Sequence, residues 1–220
     1  RNKKLFYKKQ LTQNFAPRQK TIKHIILHAT QVPDDDAALG VYMDPESELS
    51  CHYYVSYQGD VIQLVEDKNT AWHAGLSTWQ HTEKLNHHSL GIEIGNPGEN
   101  TNVPFTEKQY TALENLLETL MDTHAITPQN VLAHSDIATN RKKDPGKHFD
   151  WHRLEAKGLA APFICPQEAQ DATHALYLWG YHGKQSDVIA AFQRRYLPDH
   201  VSGQMCKKTK DFILSRPDTR

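Results

Sequence analysis

The chain has 220 residues, 38% of them hydrophobic and 23% charged, with a formal net charge of -1. That length holds one α/β domain of about 150 residues plus a small module, and near-neutral charge argues against a nucleic-acid partner, which needs a broad basic surface. No apolar run approaches the roughly 18 to 20 residues of a membrane span; three cysteines without a C-x-x-C pair exclude a thiolate zinc finger, and their odd number argues against a full disulfide framework.

In chain order, residues 1–21 are polar, basic and aperiodic and read as an N-terminal arm, either solvated or in contact with an anionic polymer. The chain shows no signal-peptide pattern at Arg1 and no initiator Met, which leaves a removed export signal open. Lys23 to His28 reads as a buried strand ending on Ile25-Ile26-Leu27-His28. Ala29 to Leu49 is acidic and loop-like, with room for a short helix near 36–43. Asp34-Asp35-Asp36 suits a solvated loop or a helix N-terminus better than a cation site. Cys51 to Ser56 and Val61 to Glu66 are strands joined by a turn at Gly59. A long polar loop, 67–88, holds Trp72 and His73, and Leu90 to Ile94 is a further strand with Glu93 inside it.

Thr106 to His124 carries the clearest helix signal: Thr106 and Gln109 make a capping box, and Leu113, Leu116, Leu117 and Leu120 share one face. Val131 to His134 is the next strand, and a second helix spans 149–160. Pro162 to Pro166 marks a boundary, after which pieces at 167–179, 186–196 and 204–215 suit a three-helix module. The expected fold class is α/β: a central mixed β-sheet flanked by helices, with a zinc cleft at its edge and a small C-terminal three-helix domain. The expected divisions are 1–21, 22–161 and 162–220.

The chemistry concentrates in two His and one Asp. His28 and His134 both end apolar runs, so both can project from one sheet edge, and Asp144 follows on a Pro-Gly turn that fixes its carboxylate. A lone His at a strand end is as a rule structural, so the reading rests on the set. His28, His134 and Asp144 would make an open zinc site, with three protein ligands and a fourth position for water. Glu93 points to the opposite face of its strand from Ile92 and Ile94. Beside such a site it could act as general base and then general acid; an ion pair with Arg or Lys is the alternative. Lys142, two residues before Asp144, could stabilise an oxyanion or be plain surface charge. Trp72 and His73 suit a sugar–peptide ligand, with core packing as the alternative. Cys51 and His52 are adjacent on a strand and face opposite ways, so they form no dyad. His148 and His152 do not match H-E-x-x-H and read as surface residues.

The segments IILHAT, SCHYYVSYQGDVIQLV, AWHAG, HHSLGIEIGNPG and AHSDIATNRKKDPG occur in this order. Together, over about Lys23 to Leu159, they resemble the type 2 N-acetylmuramoyl-L-alanine amidases, zinc peptidoglycan amidases related to phage amidases and peptidoglycan recognition proteins. The resemblance implies zinc ligands at His28, His134 and Asp144, a catalytic Glu93 and a transition-state Lys142. It implies hydrolysis of the amide between N-acetylmuramic acid and L-alanine in peptidoglycan or muropeptides. The C-terminal pieces LWGY and VIAAFQ more weakly resemble a peptidoglycan-binding helical domain, whose usual Asp-Gly is missing here; glycan binding and a structural appendage are both open. An appended module points to the bacterial envelope or periplasm rather than the short cytoplasmic branch. A non-catalytic peptidoglycan receptor on the same fold, or a protease of ordinary peptides, are the competing readings. Nothing in the sequence sets an oligomeric state.

Overall fold

A computed structural model of the chain describes residues 7–215. A six-stranded mixed sheet runs in the order β1 (Lys8–Lys9), β5 (Val61–Gln63), β4 (Tyr53–Val55), β9 (Ser89–Ile94), β3 (His24–Ala29) and β10 (Val131–Ala133). β2 (Phe15–Pro17) pairs antiparallel with β6 (Asn69–Ala71), and β7 (Thr78–Trp79) with β8 (Thr82–Glu83). The helices are α1 (Asp35–Met43), α2 (Glu107–His124), α3 (His134–Ile137), α4 (Trp151–Ala156), α5 (Ala172–Trp179), α6 (Gln185–Tyr196) and α7 (Lys207–Leu214).

The central strands are parallel and covered on both faces, which is why β3 is buried at all six positions. Alternation then sorts its side chains. Ile25, Leu27 and Ala29 join Leu90, Ile92 and Ile94 of β9 in the core beneath α2 and α4. Ile26 faces the other way, with Leu132 of β10, into a core closed by α5, α6 and α7. His28 has the parity of Ile26 and so lies on this second face. The β3–β9 register sets His28 opposite Glu93 and Ile26 opposite Gly91.

α2 starts where its capping box predicts. Thr106 Oγ1 accepts the Gln109 N–H and Gln109 Oε1 accepts the Thr106 N–H. Gln109 Nε2 also donates to the carbonyl of Gly95 at the end of β9, which ties helix and sheet together. Leu113, Leu116, Leu117 and Leu120 are buried on one helical face. Asp34 caps α1, and the Asp35 carboxylate accepts from the Tyr54 hydroxyl, so the acidic triple serves the helix start.

Several expectations are corrected. Residues 1–6 lie outside the described part, but 8–17 do not form a free arm. β1 adds in parallel to β5, and β2 pairs with β6, because a sheet edge offers unpaired backbone groups that an extended segment can satisfy. Arg18 then turns inward and donates to the carbonyls of Asp67, His87 and Ser89. The 67–88 segment carries β6, β7 and β8 rather than continuous loop. His134 opens the turn α3 instead of closing β10. The three C-terminal helices share the second-face core with Ile26 and Leu132, so residues beyond 161 complete the sheet's own packing.

Candidate active site

Three chain segments converge at the C-terminal ends of β3 and β10. His28 is the fifth residue of β3, and His134 follows β10 directly. Asp144 begins the Asp-Pro-Gly turn, in which the Asp144–Pro145 peptide is cis. Its carbonyl accepts the Ser135 N–H at 3.0 Å, which fastens that turn to α3. His28 Nδ1 lies 2.9 Å from His134 Nδ1 and 3.2 Å from Asp144 Oδ2; His134 Nδ1 lies 3.1 Å from the same oxygen. All three side chains are buried.

The surrounding hydrogen bonds fix which nitrogen of each ring carries a proton. His134 Nε2 faces the Ala74 carbonyl at 3.1 Å and must donate to it. Ser89 donates its hydroxyl to the Leu85 carbonyl at 2.6 Å, so its oxygen accepts from His73 Nε2 at 3.2 Å. His73 Nδ1 is then an acceptor, and His28 Nε2 donates to it at 2.9 Å. Both Nδ1 atoms therefore present lone pairs to one another and to a carboxylate oxygen. Three lone pairs meeting at one point repel unless a cation sits between them, and two imidazoles with one carboxylate form a donor set for a divalent metal. The remaining Asp144 oxygen, Oδ1, is buried without a hydrogen-bond partner. Burial and the neighbouring His134 push His28 down to about 4.

A cleft of about 140 Å³ opens over these groups, lined among others by Tyr42, Trp72, His73, Glu93, Lys142 and Asp144. Glu93 Oε1 is 3.9 Å from His28 Nδ1, and Oε2 is buried without a partner. Burial, reinforced by the Asp144 carboxylate, pushes Glu93 up to about 8. Lys142 lines the same cleft and acts against this rise. Trp72 is half-buried on the cleft wall. His73, although it reaches the wall, has both ring nitrogens engaged inside the protein, which leaves the ring no free polar atom for a ligand.

The sequence reading missed the groups that hold this arrangement. Asn86 Oδ1 accepts the N–H groups of both His73 and Ala74. Gly91 leaves space for the His73 ring, since a Cβ there would lie 2.4 Å from its Cγ. Arg141 donates to the Ala74 and Leu76 carbonyls. None of these has a local sequence signature.

Residues 18–147 match the family model described as Amidase_2, N-acetylmuramoyl-L-alanine amidase. The chain belongs to this amidase family. The N-acetylmuramoyl-L-alanine amidase AmiD of Escherichia coli is 33% identical across 86% of this chain and 80% of its own length. The 1,6-anhydro-N-acetylmuramyl-L-alanine amidase AmpD of Haemophilus influenzae is 31% identical across 62% of this chain and 83% of its own. Among solved structures, AmpDH3 of Pseudomonas aeruginosa superposes with a TM-score of 0.78 at 27% identity, covering 90% of this chain and 91% of that one. Escherichia coli AmiD, solved with anhydro-N-acetylmuramic acid-L-Ala-D-gamma-Glu-L-Lys, superposes at 0.74 with 32% identity, over 91% and 89%. The amidase fold thus accounts for both faces of the sheet in this chain, the C-terminal helices included.

Proposed function

We propose that this amidase holds a zinc ion on His28 Nδ1, His134 Nδ1 and Asp144 Oδ2, and cleaves the amide between the lactyl group of N-acetylmuramic acid and the L-alanine of a stem peptide. The reading rests on one observation above all: two imidazole lone pairs and a carboxylate oxygen face one point, with Glu93 beside it. A bound zinc supplies Lewis-acid chemistry, polarising a carbonyl oxygen and making water more acidic.

The chain's own residues do the rest. His73 and the Ala74 carbonyl hold the two ring tautomers, which keeps the donor set formed before metal arrives. Glu93 accepts a proton from the attacking water and returns it to the departing L-alanine nitrogen. Burial keeps its basicity high enough for that task. Lys142 lines the same cleft and offsets the negative charge that grows on the former carbonyl oxygen. The indole of Trp72 offers an apolar wall to a sugar or peptide, whereas His73 acts behind the wall. Residues 22–161 carry this chemistry, and the helices beyond 161 support it.

The substrate is peptidoglycan or muropeptide, and the place of action is the bacterial envelope. The AmiD and AmpDH3 structures hold anhydromuramyl peptides, which makes the anhydro sugar the first substrate to try. No helix among the described residues is long and apolar enough to cross a membrane. The test is mass spectrometry of products from anhydro and ordinary muropeptides, with zinc and with chelator. Zinc-dependent release of a stem peptide with a free L-alanine amine is the expected result. Intact muropeptide alongside cleavage of a muramic-acid-free peptide overturns the assignment.

A further inference from the structure

α6 lies beyond the residues that match the family model, yet two consecutive arginines on it point into the molecule. Arg194 and Arg195 are 8% and 4% exposed, unusual burial for guanidinium groups, which stay in water unless paired. Their partners lie next to the proposed metal ligands.

Arg195 Nη1 donates to Asp136 Oδ2 at 2.6 Å, and Nη2 donates to the Val131 carbonyl of β10. Its guanidinium stacks 4.0 Å above the Trp151 ring, which fixes the plane of the fork. Asp136 belongs to α3, the turn that His134 opens. Its Oδ2 also accepts the Ala133 N–H at 2.9 Å, while Oδ1 accepts the Tyr181 hydroxyl at 2.7 Å. Two of the three side-chain and backbone groups that hold this carboxylate therefore come from the C-terminal helical segment.

Arg194 reaches the other ligand loop. Its Nε donates to Glu99 Oε2 at 3.0 Å, and the same oxygen accepts the Lys147 N–H at 3.0 Å. Glu99 Cβ lies 2.9 Å from where a Cβ on Gly146 would stand, so Glu99 braces the Asp144-Pro145-Gly146 turn directly. One helix thus grips the two loops that deliver His134 and Asp144.

We infer that Arg194 and Arg195 of α6, with Tyr181, are positioning residues for the metal centre, and that the C-terminal helices serve as part of its scaffold. The inference deepens the metal reading above and rests on it. A donor set held in place binds an ion without spending affinity on ordering loops. A helical appendage concerned with glycan alone would have no use for two guanidinium groups turned inward onto those loops.

The test uses the full chain and reads zinc affinity by chelator competition, the visible spectrum of the cobalt-substituted protein, and Tm. Arg194→Gln and Tyr181→Phe each remove one link without stripping a buried carboxylate of all its donors. Because Arg195→Met alone would strand Asp136, the Arg195 link is tested in the double variant Asp136→Asn with Arg195→Met. Leu120→Ala, a core change on α2 across the sheet from the C-terminal helices, is the control for lost stability. Zinc affinity is expected to fall about tenfold in Arg194→Gln and Tyr181→Phe, the lower end of what outer-shell partners contribute. The cobalt bands are expected to shift with it, and Arg194→Lys to recover part of the loss. Leu120→Ala is expected to lower Tm and leave affinity and spectrum unchanged. Wild-type affinity and spectrum in both single variants, or losses that follow Tm as closely in Leu120→Ala, overturn the inference. Failure of the wild-type chain to bind zinc stoichiometrically overturns the metal reading instead.

Discussion

Glu93 stands opposite His28 in the parallel register of β9 and β3, and its Oε1 lies 3.9 Å from His28 Nδ1. The pairing places a carboxylate and an imidazole of the donor set on one sheet face by strand geometry alone. Glu93→Ala is expected to leave zinc stoichiometry intact, because the three donor atoms are elsewhere. Turnover of muropeptide should fall by roughly a factor of 100 to 10,000, the usual share of a positioned acid–base group. Steady-state kinetics beside metal analysis of the same sample decide it; wild-type kcat in Glu93→Ala removes the base assignment.

Metal binding should expel a proton from Glu93. Without metal, burial and then Asp144 push Glu93 up to about 8, so at pH 7 the carboxyl is mostly protonated. His28, down at about 4, is already neutral there and has no proton to give. A divalent ion a few ångströms away favours the carboxylate, so binding at pH 7 is expected to release close to one proton. Calorimetry in buffers of different ionisation enthalpy measures this number. It should drop towards zero in Glu93→Gln and at pH 9; a full proton released by Glu93→Gln contradicts the assignment.

Much of this could be read from the sequence because its cues are local. The apolar run at Ile25-Ile26-Leu27, the Thr106–Gln109 capping box and the Pro-Gly turn after Asp144 each dictate a short-range geometry, and all three form as expected. What could not be read is set by contacts between distant segments. His73 reads as a ligand-facing ring until its two nitrogens are seen bonded to His28 and Ser89, 45 and 16 residues away. Lys8 and Lys9 form a strand only because the edge of β5 is there to receive them. Arg194 and Arg195 carry no local cue of their own, and only the fold shows them turned inward.

The buttress behind His28 should control metal affinity. His73→Phe keeps the ring volume but leaves the His28 Nε2–H without its acceptor at 2.9 Å. Loss of such an outer-shell partner weakens metal binding about 10- to 100-fold. Gly91→Ala should act through the same ring, since its new Cβ would overlap His73 and push it off His28. Chelator competition on both variants checks this. Equal zinc affinity in wild type and His73→Phe would show that the His28–His73 bond has no part in holding the metal.

Acid should destabilise the metal-free fold through histidines held neutral away from the donor set. His52 Nδ1 accepts the Gly91 N–H at 3.0 Å, so protonation there would break a bond to the central strand. Burial lowers both His52 and His24 from 6.5 to about 4. Between those values the unfolded chain binds protons that the folded chain excludes, so stability rises with pH across the window and levels off above it. For the fully buried His52 the span corresponds to about 3 kcal/mol at roughly 1.4 kcal/mol per unit. Urea unfolding of chelator-treated protein from pH 7.5 down to 4.5 should show the fall. His52→Gln, which has no titrating group to protonate, should flatten part of the slope even if it lowers stability at pH 7.5. An unchanged slope in His52→Gln would mean that His52 titrates alike in the folded and unfolded chains.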